Sequence, residues 1–203
     1  ATPKQMLLKR TADIIGGLVG SVFTLILTIF IGPIIYIKSP GPIFFKQERV
    51  GLNGKIFKMY KLRSMYVNAP DIRNSDGSTY NAADDPRVTP IGRFMRKTSI
   101  DEFPQFLNVL IGDMSFIGPR PILPRNEYTE LQEYLKEMMT VRPGITGYNQ
   151  ANYRNSIARI DKYKNDAFYA THLTFLMDVK ILFKTIATVL FQKNINTNSN
   201  GGK

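Results

Sequence analysis

The sequence predicts a mostly helical α+β protein with a re-entrant membrane helix at its N-terminus, one β-hairpin and amphipathic helices at the membrane surface. Three observations support this fold class. An uncharged apolar run occupies residues 14–37. Two segments rich in β-forming residues flank the Asn-Gly pair at residues 53–54. Apolar residues recur at helical spacing over much of the second half of the chain.

The composition indicates a folded protein and excludes several kinds of chemistry. The 203 residues are 43% hydrophobic and 21% charged, which is enough to bury a core. The chain has no cysteine and a single histidine, His172, so disulfides, thiol nucleophiles and multi-histidine metal sites are excluded. Catalysis would therefore have to use carboxylates, hydroxyls, lysine or arginine. The absence of cysteine also fits a reducing compartment.

The positive charge is concentrated near the N-terminus. Of the formal net charge of +11, the first 65 residues contribute +8, from ten Lys or Arg against Asp13 and Glu48. A basic segment can face nucleic acid or anionic lipid, and its sequence neighbours decide between them. Here the neighbour is an apolar run. We therefore expect membrane lipid to be a partner and nucleic acid not to be one.

The apolar run at residues 14–37 predicts membrane association. Its 24 residues would form a helix of about 36 Å, longer than the roughly 30 Å hydrocarbon core of a bilayer. Gly32-Pro33 interrupts the run, and basic residues flank both of its ends, so the positive-inside tendency gives no preferred direction of crossing. We predict a re-entrant helix that is broken at Gly32-Pro33 and returns to the cytoplasmic face. An ordinary kinked transmembrane helix is the alternative.

A β-hairpin is predicted over residues 43–62. The segments IFFKQERV and KIFKMYKL flank the four residues from Gly51 to Gly54, and Asn-Gly is a strong turn signal. The next stretch, residues 68–90, is rich in Asn, Asp, Ser, Gly and Pro, and we interpret it as a loop. Its Asp84-Asp85 pair invites a metal assignment, but adjacent acids in such a loop are more often solvated turn residues.

Helices are predicted for four further segments, at about residues 101–111, 125–139, 156–171 and 173–192. The last of them carries apolar residues at helical spacing together with Lys180, Lys184 and Lys193. That pattern fits core packing and a helix lying on the bilayer equally well. The polar tail over residues 194–203 is expected to be disordered.

The strongest chemical signal is RFMRKTSIDEFPQ, from Arg93 to Gln105. Ser99 and Glu102 have the spacing of a capping box and Pro104 suits a first helical turn, so we predict a helix beginning near Ser99 or Asp101. Both acids would then lie where helix N–H groups and the helix dipole favour anions. In the alternative, Glu102 only caps the helix and Asp101 faces water.

Arginines beside proline turns are candidate phosphate-binding groups. Arg120 lies between two prolines in GPRP, and Arg142 precedes a Pro-Gly turn in VRPGITG. Prolines restrict the backbone beside the guanidinium, and a pre-organised guanidinium suits bidentate phosphate recognition. Each arginine could instead only stabilise its own turn through a bond to a carbonyl. The other cationic candidates for binding a diphosphate are Lys61, Arg63, Arg96 and Arg154.

Five motifs, KRTADI, FKMYKLRSM, RKTSIDEFPQFLNVLIGDMSFIGPRP, VRPGITG and FLMDVKI, resemble those of the monotopic phosphoglycosyl transferases, the bacterial sugar transferase family. The match runs from about Lys9 to Leu182. The resemblance implies an enzyme of the bacterial inner membrane that faces the cytoplasm and needs Mg²⁺. Its donor would be a UDP-sugar and its acceptor a polyprenyl (undecaprenyl) phosphate. The products would be polyprenyl diphosphate sugar and UMP, the first membrane step of glycan assembly.

The resemblance also implies roles for individual residues. The family's Asp-Glu dyad falls on Asp101 and Glu102, with Asp101 as the nucleophile that forms a covalent aspartyl-phosphosugar and Glu102 assisting at the metal or acceptor. Both are therefore candidate Mg²⁺ ligands, although the residue chemistry by itself does not choose between them as nucleophile. The late acids Asp166 and Asp178 are expected to have scaffold roles. The family's cationic motif positions fall on Lys61, Arg63, Arg96 and Arg120.

The expected organisation is a re-entrant anchor over residues 1–40, a catalytic domain continuous with it over 41–193, and the tail. Gly32-Pro33 stands where the family usually has Ser-Pro, and residues 148–154 depart from the common form, so the donor sugar stays open. A homo-oligomer is also left open. The chain begins at Ala1 rather than Met, which fits either a tagged form of the protein or the catalytic portion of a longer one.

Two alternative functions remain at this point. A membrane-anchored basic binding module would explain the charged N-terminal segment but not the Asp-Glu pair or GPRP. A conventional glycosyltransferase would move the sugar without its phosphate. The released nucleotide separates the three hypotheses: UMP for phosphosugar transfer, UDP for glycosyl transfer, and neither for a binding module.

Overall fold

The computed structural model describes residues 2–72, 80, 82, 84–124, 132–153 and 157–190. This part of the protein is mostly helical with a few short strands, as predicted. A 3₁₀ turn, Ile100–Glu102, joins the second and third helices. In chain order, the elements are α1 Pro3–Lys38, β1 Phe44–Val50, β2 Ile56–Leu62, α2 Pro90–Thr98, α3 Gln105–Ile111, β3 Ser115–Ile117, α4 Gln132–Met138, β4 Gly144–Thr146, α5 Tyr148–Asn152, α6 Arg159–His172 and α7 Phe175–Leu190.

Helix α1 is continuous over 36 residues. Within the described residues it is the one helix long and apolar enough to cross a membrane. The predicted break at Gly32-Pro33 does not end it, because the helix continues to Lys38 although proline supplies no N–H for the helical ladder. Ile31 and Ile35 flank the proline and are both buried, so packing stabilises this part of the helix. How α1 lies in the bilayer stays a prediction.

One face of α1 packs against the rest of the protein along most of its length. Toward its start and middle, the buried positions of this face carry charged, small or hydroxyl side chains: Lys9, Asp13, Gly17, Gly20 and Thr24. The opposite face exposes large apolar side chains, including Ile15 at 62% and Phe30 at 70%. A helix with small and polar residues inside and apolar residues outside is typical of a lipid-facing helix.

Gly20 allows α1 to lie directly on α3. A Cβ atom at this position would come within 2.3 Å of Cγ of Phe106, which is too close for any side chain. The ring of Phe106 fills the space that the glycine leaves, and it packs edge-on against Phe103 at 5.3 Å between centroids. The middle of the apolar helix therefore contacts the segment that follows the Asp-Glu pair.

A buried ion pair ties the start of α1 to α7. Nζ of Lys9 lies 2.7 Å from Oδ2 of Asp178 and donates to the carbonyl of Ile117 at 2.8 Å. The hydroxyl of Tyr169 donates to Asp178 at 2.6 Å. Because removing one partner would leave a buried charge unpaired, Asp178 has the environment of a scaffold residue, as expected.

The predicted hairpin is confirmed. β1 and β2 pair antiparallel from Phe44 opposite Leu62 to Val50 opposite Ile56. The turn takes left-handed backbone at Asn53 (φ 53°) and Gly54 (φ 77°), the conformation for which this dipeptide is suited. The Asn-Gly signal therefore located the hairpin correctly.

A second small sheet was not predicted. β3 and β4 pair in parallel, with Ser115 opposite Gly144 and Ile117 opposite Thr146. Each strand has only three residues, too few for a period-two pattern to identify. The short helices α2 and α5 were also missed. The predicted helix at residues 125–139 is observed from Gln132 to Met138, and residues 125–131 lie outside the described part.

The interpretation of Asp85 as a solvated turn residue is wrong. Its carboxylate is 1% exposed and forms an ion pair of 2.7 Å with Arg87. The Arg87 guanidinium also donates to the carbonyls of Pro70 and Tyr80. The described parts of the loop therefore contain a buried ion pair that local composition does not indicate. Most of the rest of this loop, residues 73–79, lies outside the described residues.

Helix α7 combines the two environments that the sequence left open. Ile181 is buried in a core cluster with Tyr169 and Leu173, whereas Leu176 is 63% exposed and Phe183 is 69% exposed. One face packs in the core and another presents apolar side chains outward. The predicted disordered tail at residues 194–203 lies outside the described residues.

Candidate active site

Asp101 and Glu102 lie on the 3₁₀ turn between α2 and α3. Ser99 does not cap a following helix as predicted. It ends α2 in a left-handed conformation (φ 58°), and its N–H bonds to the carbonyls of Arg96 and Met95. The chain then needs one tight turn to change direction before α3 begins, so the two acids occupy a link between helices rather than the first turn of one.

The Asp101 carboxyl is 7% exposed. Burial raises its pKa to about 6, the nearby charge of Glu102 adds to this increase, and Lys61 and Arg96 oppose it. The alternative in which Asp101 faces water is therefore wrong. A buried carboxyl with a perturbed pKa and defined cationic neighbours is typical of a functional site.

Two predicted cations lie beside this pair. Lys61 on β2 forms an ion pair of 2.6 Å with Oε1 of Glu102. Arg96, in the last turn of α2, is attracted electrostatically to Asp101 and is oriented by a hydrogen bond of 2.9 Å from its Nε to Oγ of Ser64. The structure thus brings Lys61, which is distant in sequence, together with Arg96, Asp101 and Glu102, which share one short segment of the chain.

Asn108 holds α3 against β2 and was not identified from the sequence. Its side chain is fully buried, accepts from the N–H of Tyr60 at 3.0 Å and donates to the carbonyl of Lys58 at 2.8 Å. These bonds connect the helix after the Asp-Glu turn to the strand that carries Lys61. A lone asparagine within the apolar segment QFLNVLI was the available signal, because buried polar groups need partners.

Arg63 occupies a structural position rather than an open binding site. Its guanidinium is buried and bonds through Nε to the carbonyl of Pro42 and through both terminal nitrogens to Ser39. It therefore fastens the segment that follows α1 to the end of β2. This position favours a scaffold role over the predicted contact with substrate.

Arg120 is exposed, in the loop that follows β3. Its backbone N–H donates to Oδ2 of Asp166 at 3.4 Å, and Asp166 also accepts from Asn149 at 2.7 Å. Burial raises the pKa of Asp166 to about 7, although these bonds and the charge of Arg120 oppose the increase. Asp166 thus acts as a scaffold for the loop, and the Arg120 guanidinium stays accessible to an anionic ligand.

Arg142 is half-buried, and its Nε donates to the carbonyl of Gly112 at 2.8 Å. That carbonyl follows α3, 30 residues earlier in the chain, so Arg142 links two segments rather than only stabilising its own turn. The predicted binding residue Arg154 lies outside the described residues. The structure therefore supports Lys61, Arg96 and Arg120 as accessible or site-facing cations more than Arg63 and Arg142.

The site offers two carboxylates to a metal ion. Among the described residues no group of three or more His, Asp or Glu side chains could hold one. Mg²⁺ is commonly bound through one or two carboxylates, with water and substrate phosphates completing its coordination. Burial, and then the charge of Glu102, raise the pKa of Asp101, and a bound cation would favour its ionised form. The donor set therefore fits Mg²⁺ shared with a diphosphate and does not fit a site made of protein ligands alone.

Comparison with known proteins gives consistent matches. Residues 4–192 match the bacterial sugar transferase family. The chain is 42% identical over 194 residues to a galactosyl transferase of Streptococcus agalactiae, and the match covers 92% of this chain and 43% of that protein. It is 42% identical over 192 residues to an uncharacterized sugar transferase of Bacillus subtilis, with 94% and 91% coverage.

A third relative is an Escherichia coli protein named UDP-glucose:undecaprenyl-phosphate glucose-1-phosphate transferase. It is 39% identical over 194 residues, which cover 89% of this chain and 39% of that protein. The chain thus spans less than half the length of two of these three relatives.

Proposed function

The chain belongs to the bacterial sugar transferase family, as its motifs indicated, and on that premise we propose that it is a phosphoglycosyl transferase. It transfers a sugar-1-phosphate from a UDP-sugar to a polyprenyl phosphate and so produces polyprenyl diphosphate sugar and UMP. The observation that carries the proposal is the buried Asp101 carboxyl, placed beside Glu102 with Lys61 and Arg96 nearby. This arrangement combines a nucleophile with cations suited to a diphosphate.

The proposed reaction has two displacements at the same phosphorus atom. A carboxylate oxygen of Asp101 attacks the β-phosphorus of the UDP-sugar, and the bond from that phosphorus to the bridging oxygen breaks as UMP leaves. A phosphate oxygen of the polyprenyl phosphate then attacks the aspartyl-phosphosugar and displaces Asp101. Splitting the transfer lets the anionic nucleotide leave before the anionic lipid attacks, so the two substrates do not repel each other within one site.

The surrounding residues supply charge and position. Asp101 and Glu102 are the residues that would hold Mg²⁺, which would neutralise charge on the diphosphate. Lys61 fixes the Glu102 carboxylate through its ion pair, and Arg96 faces the same turn. Arg120, on a proline-restricted loop, is the candidate for binding the diphosphate bidentately.

The test is the identity of the released nucleotide. The full chain in nanodiscs, given undecaprenyl phosphate and a panel of UDP-sugars, should release UMP in step with the polyprenyl product. Release of UDP would instead indicate glycosyl transfer, and release of neither would favour the basic binding module. Relatives are named for galactose and glucose, so UDP-galactose and UDP-glucose are the first donors to compare.

The packing of α1 supports a monotopic placement. Contacts to the rest of the protein extend from Lys9, bound to Ile117, to Ile35, which packs with Leu62. If α1 crossed the bilayer alone, lipid would surround its middle. In the structure the middle of α1 instead contacts the rest of the protein. We therefore infer that the apolar faces of α1 and α7 enter one leaflet from the cytoplasmic side of the inner membrane.

This placement predicts that the start of α1 and the hairpin that follows α1 are accessible from one side only. Single cysteines at the exposed positions Lys4 and Lys55 should react with a membrane-impermeant maleimide in inverted vesicles and not in right-side-out vesicles, because both positions face the cytoplasm. A cysteine at the exposed apolar position Phe30 serves as the control and should react only after detergent is added. If the cysteine at position 4 and the cysteine at position 55 were labelled from opposite sides of the membrane, the proposal would be contradicted.

A further inference from the structure

Thr24 is a polar residue in the middle of the apolar run, and it is 4% exposed. Its hydroxyl lies 2.8 Å from the carbonyl of Gly20 in the preceding helical turn. It also lies 2.9 Å from the carbonyl of Phe103, 79 residues further along the chain. The first contact is available to a threonine in any helix. The second exists only because α1 packs against the segment that follows the Asp-Glu turn.

Phe103 is placed where its position controls the catalytic turn. It follows Glu102 directly, and its N–H closes the 3₁₀ turn by bonding to the carbonyl of Ile100 at 3.2 Å. Its carbonyl accepts from the N–H of Phe106 at 2.9 Å, at the start of α3. Thr24 therefore binds the peptide group at the junction between the turn and the helix.

The turn is short, and neighbouring elements hold it: Ile100 packs against the core cluster that includes Leu62 and Met95. The turn is three residues long and follows a residue in left-handed conformation, Ser99. On one side it is held by the ion pair between Lys61 and Glu102. On the side facing α1, the bond from Thr24 and the packing of Phe106 on Gly20 hold the residues that follow it.

We propose that Thr24 is a positioning residue of the transferase, whose hydroxyl, from within the membrane helix, holds the Phe103 carbonyl and so fixes the turn that presents Asp101 to the donor. The proposal rests on the proposed function. It does not give Thr24 a role in the chemistry, because its hydroxyl contacts backbone carbonyls and not a reacting group. A catalytic group displaced by a fraction of an ångström loses rate while substrate affinity changes little.

The chain offers a matched control in Thr28, one turn further along α1. Its hydroxyl donates to the carbonyl of Thr24 at 2.7 Å and, in the part of the chain that the structure describes, to no group outside the helix. Thr28→Val therefore makes the same chemical change in the same helix without touching the Phe103 contact. Thr24→Ser keeps the hydroxyl and serves as the rescue variant.

The experiment measures UMP formation by variants of this chain in nanodiscs. The rate at saturating substrates, the KM for the donor and the folded fraction are followed separately. For Thr24→Val we expect kcat to fall about tenfold or more with little change in KM or in folded fraction. Thr24→Ser should stay within about threefold of wild type, and Thr28→Val should match wild type. Thr24→Val is expected to fold, since the Phe103 carbonyl keeps its bond from Phe106.

Four results would overturn the assignment. In an active wild type, a Thr24→Val variant with the kcat of Thr28→Val would show that the hydroxyl does not position the turn. A lower folded fraction of Thr24→Val with normal kcat per folded molecule would show a purely structural role. Failure of both Thr24→Val and Thr24→Ala to fold, while Thr28→Val folds, would show the same. A wild type that releases no UMP from any donor would instead refute the proposed function, and this proposal with it.

Discussion

Replacement of Asp101 by asparagine is expected to abolish turnover and covalent labelling together. The carboxylate is the proposed nucleophile, and an amide cannot form the aspartyl-phosphosugar. The loss in kcat should be at least about 10³-fold, the scale seen when a nucleophile is removed. The measurement uses a donor with radioactive β-phosphate and no acceptor. Wild type should release one equivalent of UMP and retain the label, whereas Asp101→Asn should do neither.

Glu102→Gln is the matched control for this experiment. It removes the neighbouring carboxylate and the ion pair with Lys61, so turnover should fall, but the nucleophile remains and some label should still form. If wild type without acceptor released no stoichiometric UMP and kept no label, the covalent route would be wrong. Direct displacement, with Asp101 acting as a base or metal ligand, would then replace it.

Asp101→Asn should also be at least as stable as wild type at neutral pH, which makes its inactivity interpretable. Burial raises the pKa of Asp101 to about 6 from its usual 3.8, so ionisation opposes folding above pH 6 by on the order of 2–3 kcal/mol. Below the unfolded value the penalty is absent. Denaturation without Mg²⁺ should therefore show an excess stability of the mutant at pH 7.5 that disappears toward pH 4. A mutant less stable than wild type at pH 7.5 would contradict this account.

Arg120→Ala is expected to lower turnover by about 10² to 10³, the usual effect of removing a charge-assisted bond that forms in the transition state. The exposed guanidinium makes no hydrogen bond within the described residues, so its truncation should leave the free energy of unfolding nearly unchanged. Steady-state UMP release and thermal unfolding of the same preparation measure the two quantities. Arg120→Lys should restore activity only in part, because lysine lacks the bidentate fork.

Arg93 provides a control of equal charge and similar exposure. Arg93→Ala removes the same charge from α2 without altering the GPRP loop, so it should have much less effect than Arg120→Ala. Near-normal turnover in a folded Arg120→Ala variant would refute the binding role. Equal losses in both variants would show that general positive charge, rather than a placed guanidinium, accounts for the effect.

The sequence by itself determined those features that depend on local pattern. The uncharged run identified the long apolar helix because lipid and protein interiors exclude charge over its whole length. Asn53-Gly54 located the hairpin because those residues accept left-handed backbone. The adjacent acids of IDEFPQ and the arginine between two prolines were recognisable for the same reason, since each signal lies within a few consecutive residues.

Tertiary structure alone decided which polar groups meet across the chain. Lys61 meets Arg96 and Asp101 because β2, α2 and the 3₁₀ turn pack together, and no spacing in the sequence encodes the contact of β2 with the acids. Arg63, predicted to contact substrate, instead donates hydrogen bonds from its guanidinium to backbone and side-chain oxygens of the segment that follows α1. The boundary near Ser99 was misjudged because capping-box spacing was satisfied by a residue that ends the preceding helix.

The membrane helix shows both what the sequence determines and what the tertiary structure decides. Its apolar composition predicted contact with lipid. The role of the buried stripe through Gly20 and Thr24 follows only from the structure, because α3 and Phe103 pack against that stripe. The stripe has helical spacing and was available in the sequence. Its partner was not, because the free energy of a buried hydroxyl or ion pair depends on which groups the fold brings within hydrogen-bonding distance.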